Sequence, residues 1–140
     1  MKSSKKKIII YHAAKDLYNI VLDIENYPDF IPWCKKIEIK SKNSKELLAD
    51  MHVSYGFFLT QIFTSKVLFN NTSLSIKTKY IKGPLKDLNT EWIFKKINSK
   101  KTNVFFNVNF EFKKFHHQKL AELFFILIEN KMIDSFIKRA

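Results

Sequence analysis

Glycine is almost missing from this chain: two residues in 140. That excludes the glycine-rich loops that press backbone amides against nucleotide phosphates. Cysteine is scarcer still. The single Cys34 rules out an internal disulfide and any multi-cysteine metal site, and it fits a reducing compartment. Acidic residues are few, 13 against 25 Lys and Arg, which leaves a formal net charge of +12. Such a balance favours an anionic partner: nucleic acid, a ribosome or an anionic lipid surface. The excess is nearly all lysine in a chain also rich in Asn and Ile, as an AT-rich genome would encode, so charge alone does not choose among them. Long apolar runs are absent too. The longest uninterrupted one in the last helical stretch covers residues 123–128, far short of the ~20 a membrane span needs. Near the start, Lys5, Lys6 and Lys7 precede only three isoleucines, too few for a secretory signal. There is no Walker loop, nucleophile elbow or His-Glu-x-x-His string. His116 and His117 are adjacent, and on a helix neighbours point about 100° apart, so they do not chelate as a pair. No metal and no catalytic constellation is expected.

What the chain does have is phenylalanine, 14 of them, within a hydrophobic content of 46%. That suits a single domain over residues 1–140 with bulky packing or an apolar cavity. Residues 6–11 are β-branched and read as a strand. Leu17, Tyr18, Val21 and Leu22 fall at helical spacing. Pro28 and Pro32 limit the second helix or turn that follows. From residue 35 to residue 115 the period is two. Ala49, Met51, Val53 and Tyr55 share one phase, as do Leu59, Phe63, Val67 and Phe69, then Leu88, Trp92 and Phe94. Val104, Phe106, Val108, Phe110 and Phe112 form the clearest series. Such alternation means one buried and one wet face, as in an antiparallel sheet. Turn-like breaks at residues 41–44, 70–72, 83–84 and 98–101 divide this region into about six strands. Residues 116–139 read as a final helix, apolar almost all round in its first half. The expected class is α+β: a curved antiparallel sheet of about seven strands wrapped on a long C-terminal helix, with two short helices after the first strand.

Several strings resemble one family. Tyr27-Pro28-Asp29-Phe30-Ile31-Pro32-Trp33-Cys34, Phe63-Thr64-Ser65-Lys66-Val67, the Gly83-Pro84 turn with Leu88 and Trp92, Phe110-Glu111-Phe112, and the ending Phe136-Ile137-Lys138-Arg139-Ala140 are similar to the coenzyme-Q-binding and RatA-type (ribosome association toxin) family of START-like domains. One departure is Leu85, where the family's glycine-proline turn is usually followed by Phe. The resemblance implies the helix-grip fold and a protein that binds rather than catalyses. Two functions come with it. One is non-enzymatic binding of ubiquinone in an apolar cavity, as a lipid carrier supporting respiration. The other is a toxin that binds the large ribosomal subunit and blocks subunit association.

On the first, Phe30, Trp33, Met51, Val53, Tyr55, Phe63, Ser65, Val67, Tyr80, Trp92, Phe94, Phe106, Val108, Phe110, Phe125 and Met132 are expected to line the cavity. Tyr80, Trp92 and Ser65 are the candidate donors to quinone oxygens. Gly83, Pro84, Leu85, Leu120, Phe124 and Leu127 are the expected portal and membrane contact. Plainer readings stand beside these: Gly83-Pro84 as a tight turn, the phenylalanine series as core, and the Tyr27–Cys34 string as a pin on the sheet edge. No covalent cofactor is implied, only ubiquinone or a similar lipid as ligand. Expected partners are that lipid, an anionic membrane at its periphery and the large ribosomal subunit, without sequence-specific DNA binding. The expected location is the cytoplasm at the inner membrane surface, or the matrix side in a mitochondrion.

Overall fold

The computed structural model describes residues 2–54, 60–112 and 131–140. Seven strands form one antiparallel sheet: β1 Lys2–Ile10, β2 Cys34–Lys42, β3 Glu46–Val53, β4 Gln61–Asn70, β5 Ser75–Lys82, β6 Leu85–Asn98 and β7 Lys101–Phe112. Their spatial order is β1-β7-β6-β5-β4-β3-β2. Six consecutive strands are thus joined as hairpins, and β1 closes the far side on β7. Helix α1, Ala14–Leu22, and a 3-10 turn, Ile24–Asp29, link β1 to β2. Helix α2, Ile133–Arg139, is the described part of the last helical stretch.

The alternation places the inner face as expected. Phe63, Val67, Trp92, Phe94, Val104, Phe106, Val108 and Phe110 are buried, and Met51 and Val53 are half-buried on the same face. Glu91 and Glu111 point to the other face, where they meet Lys77 at 3.3 Å and Lys86 at 3.8 Å. β1 begins four residues before the β-branched run. Residues 2–5 have no apolar alternation, but they pair with β7 through Ser3 with Asn109 and Lys5 with Asn107. Edge pairing, not side-chain pattern, makes them a strand. The amphipathic α1 buries Leu17, Tyr18 and Val21. Tyr18 sets its ring edge on Phe94, with centroids 6.3 Å apart, and donates to Asn71 Oδ1 at 2.6 Å. The helix is thereby pinned to the β4–β5 hairpin.

An ion network lies on the outer face of β2 and β3. Glu38 meets Lys36 and Lys40 at 3.0 Å each, and Lys40 also reaches Asp50 at 3.5 Å. The hydrogen bonds from Lys40 and then Lys36 hold the Glu38 carboxyl down at about 2. A depressed folded value means the contribution to stability is present above the ordinary carboxylate range and disappears as pH falls towards about 2. In a carbon-detected titration Glu38 should protonate well below the ordinary glutamate value, and Lys40→Met should move it back towards about 4.3. A parent Glu38 titrating in the ordinary range would show that the pairs do not persist in solution.

Candidate functional site: an apolar cavity under the sheet

A cavity of about 160 Å³ lies between the concave face and the helices. α1 and the turn after it supply Val21, Ile24 and Tyr27, and the next segment supplies Trp33. From the strands come Ile37 of β2, then Ala49, Met51 and Val53 of β3, and Phe63, Ser65 and Val67 of β4. β5 adds Ile76 and Thr78, and β6 adds Leu88, Thr90 and Trp92. Met132 and Phe136 close it from the C-terminal side.

The wall is hydrocarbon apart from a few groups. Thr78 and Thr90 face each other directly across β5 and β6, and Ser65 stands on the neighbouring β4. Three hydroxyls on adjacent strands can donate to acceptors on a bound ring. Tyr27 is the one ionisable phenol in the described lining. Its hydroxyl donates to the Val21 carbonyl, and burial pushes its ionisation far up, so it stays neutral and occupied. Cys34 is buried, and burial raises its thiol to about 11. It is a packing residue, not a nucleophile at neutral pH. Among the described residues no group of three His, Cys, Asp or Glu side chains could hold a metal.

Of the residues expected to line the cavity, Trp33, Met51, Val53, Phe63, Ser65, Val67, Trp92 and Met132 do so. Several others are displaced from it. Phe106 lies against the Trp92 ring, centroids 4.4 Å apart. Val108 and Phe110 stand cross-strand from Thr90 and Leu88. These β7 residues form the row beyond the lining, because the alternation that put them on the inner face says nothing of their lateral position. Phe94 stacks on Trp92 at 5.9 Å and lies beneath Tyr18 of α1. Phe30 is half-buried outside the cavity, edge-on to Phe136 at 5.4 Å with the Arg139 guanidinium 5.0 Å above its ring. Tyr80 touches the Phe63 ring from outside the described lining, and its hydroxyl accepts the Leu85 N–H at 2.9 Å.

The portal also changes. Leu85 does not project from its turn; it is 1% exposed. The Gly83-Pro84 turn carries Gly83 at φ +149° and feeds Leu85 inwards, where its amide is held by Tyr80. Gly83 and Pro84 themselves are half-buried, and the exposed apolar side chains near this turn are Ile62 and Ile81. Tyr55, Leu120, Phe124, Phe125 and Leu127 lie outside the described residues. Ala49 and Leu88, read from the sequence as sharing a strand phase, and Val21, Tyr27 and Phe136, read as helix or family-string positions, line the cavity without having been assigned to it, as do Ile24, Ile37, Ile76, Thr78 and Thr90. Thr78 was legible in principle, being in phase with Ile76 on a strand whose partner carries Thr90 and Trp92.

Residues 10–137 match the family described as polyketide cyclase / dehydrase and lipid transport. The chain is 34% identical over 137 residues to the mitochondrial coenzyme Q-binding protein of Drosophila melanogaster, covering 95% of this chain and 56% of that protein. It therefore spans little more than half that relative's length. To the ribosome association toxin RatA of Rickettsia prowazekii it is 32% identical over 143 aligned positions, covering 100% of this chain and 97% of the relative. Among solved structures, the ZhuI aromatase/cyclase from Streptomyces sp. R1128 superposes with a TM-score of 0.85 at 13% identity, covering 99% of this chain and 92% of that one. A START superfamily protein from Mycobacterium smegmatis gives 0.76 at 18% identity, covering 98% and 95%. At such identities the structures speak for the helix-grip fold alone. The fold, the cavity and the full-length relatives agree: this chain belongs to the START-like polyketide cyclase / dehydrase and lipid transport family, alongside the coenzyme Q-binding and RatA-type proteins.

Proposed function

We propose that the chain binds ubiquinone, or a closely similar isoprenoid quinone, in this cavity and carries it without covalent chemistry. The observation that carries the reading is the lining: a hydrocarbon wall with three hydroxyls grouped on β4, β5 and β6. A dry apolar cavity of about 150 Å³ accommodates a benzene ring, so the 160 Å³ here suits one quinone ring. The isoprenoid tail would then lie towards the mouth. Quinone oxygens only accept hydrogen bonds, and Ser65, Thr78, Thr90 and the Trp92 indole can all donate. Burial of ring and tail contributes roughly 25 cal/mol per Å² of apolar surface. On this reading the protein works beside a quinone-bearing membrane, on its cytoplasmic or matrix face.

The test is mass spectrometry of lipid extracted from the purified protein, followed by titration with a short-chain ubiquinone analogue. The two tryptophans, Trp33 and Trp92, both line the cavity, so binding should quench their emission. Ala49→Leu adds an isopropyl group into the cavity. It should abolish quenching while leaving stability unchanged or raising it by about 1 kcal/mol, since filling a void restores lost contacts. An Ala49→Leu protein that binds the analogue as well as the parent would refute this site.

A second reading rests on its own observation. The RatA relative matches along 97% of its length, and the net charge of +12 suits a ribosomal partner. Co-sedimentation with large ribosomal subunits tests it directly.

A further inference from the structure

The basic charge is not spread evenly over the outer sheet face. On β2 to β4, Lys36 and Lys40 meet Glu38 and Lys66 meets Glu46. The opposite corner differs. Residues 5–11 and 95–105, which form most of β1 and the tip of the β6–β7 hairpin, contain seven lysines and no Asp or Glu; Lys6 and Lys96 stand in the inward phase beside Phe106 and Thr102, and the other five belong to the outer face or the turn. Several of these lysines meet aromatic rings rather than acids. Lys7 and Lys95 approach Phe105 from both neighbouring strands, with Nζ 5.5 and 5.2 Å from the ring centroid. Lys101 sits 5.6 Å from the ring of Tyr11, which is 74% exposed. A lysine held over a ring keeps its ammonium donors free and its stem ordered. Between these rows stands Asn103, paired in register with Ile9 on one side and Lys95 on the other.

We propose that this corner of the convex face is a binding surface for single-stranded RNA. Ordered ammonium groups suit phosphates, and an exposed tyrosine suits a stacked base. A bilayer is the poorer match, because a surface that docks on lipid presents an unbroken apolar face, and here Ile9 and Tyr11 are bordered by Asn103 and Lys101. The cavity lies on the other side of the sheet, so the two sites do not compete for residues. This inference rests on the ribosome reading, to which it gives a surface.

The experiment is fluorescence anisotropy of the full chain with a labelled uridine-rich single strand, at several salt concentrations. Lys7→Gln, Lys95→Gln and Lys101→Gln are combined in one variant. The control combines Lys15→Gln, Lys42→Gln and Lys138→Gln, which are exposed lysines elsewhere and remove the same charge. The corner variant should weaken binding at least tenfold and flatten the salt slope by about two, while the control stays within about twofold. Tyr11→Ala alone should weaken binding about tenfold through lost stacking. Equal losses in corner and control variants would overturn the proposal, as would failure of the parent to bind RNA. So would a corner variant that loses phosphatidylglycerol vesicles but keeps RNA, which would assign the corner to a bilayer. Co-sedimentation separates the two claims: a corner variant that still pellets with ribosomes sinks this surface and leaves the ribosome reading standing. RNA binding by a parent that ignores ribosomes does the reverse.

Discussion

Phe136→Ala is expected to cost about 3–5 kcal/mol of folding stability, the usual range for emptying a buried aromatic site. Phe136 is buried in α2 and joins three parts of the molecule. Its ring meets Tyr27 and Trp92 edge-on at 5.3 Å each and Phe30 at 5.4 Å. Each such pair is worth about 0.5–1.5 kcal/mol beyond area burial. Removing the ring would also open the cavity, since Phe136 and Trp92 both line it. In a thermal melt the loss should appear as a fall of about 10–20 °C for a domain of this size. Phe136→Leu keeps the bulk and loses only the ring geometry, so about 1–2 kcal/mol is expected. If Phe136→Ala melts within 3 °C (about 1 kcal/mol) of the parent, α2 does not clamp the sheet and the helix-grip account of stability fails.

Gly83→Ala should be the most damaging single-methyl change among the described residues, at about 2–4 kcal/mol. Two causes combine. The backbone at φ +149° is one that a side chain rarely adopts. A Cβ there would also stand 2.6 Å from Tyr80 Oη and 2.8 Å from the Ile62 carbonyl oxygen. Tyr80 could swing away only by giving up the Leu85 amide it holds, and the Ile62 oxygen is backbone. Adding Tyr80→Phe removes the nearer obstacle but neither the strain nor the carbonyl. The double variant should therefore recover part of the loss, with clear non-additivity in a denaturant cycle. A Gly83→Ala protein within about 0.5 kcal/mol of the parent, the range of an ordinary surface change, would mean that the turn relaxes freely.

These two residues show how far the chain could be read in advance. The strand count, the hairpin breaks and the buried face followed from period-two alternation, because a pleated strand turns each successive side chain to the opposite face. Phe63, Val67 and Trp92 could be placed in the cavity wall on that basis, and Trp33 through the Tyr27–Cys34 string. Phe136 was visible within the expected final helix and as part of a family ending, but its three ring partners come from the turn after α1 and from β6. Leu85 misled for a related reason. An apolar residue after a Gly-Pro pair looks like an exposed tip until the backbone of Gly83 turns it inwards.

The sequence by itself determined the alternating strands, the inner face and the family. Each depends on local spacing or on a string of neighbouring residues. Only the tertiary structure decided which inner residues reach open space. β7 supplies none of the described lining, while Thr78 and Thr90 are brought together across β5 and β6. It likewise decided where the charge is left unbalanced, by setting Lys7 and Lys95 on the same Phe105 ring from strands far apart in the chain. Face is a property of one strand's period, but lateral position and cross-strand company are fixed by register and curvature, and those depend on contacts between residues distant in sequence.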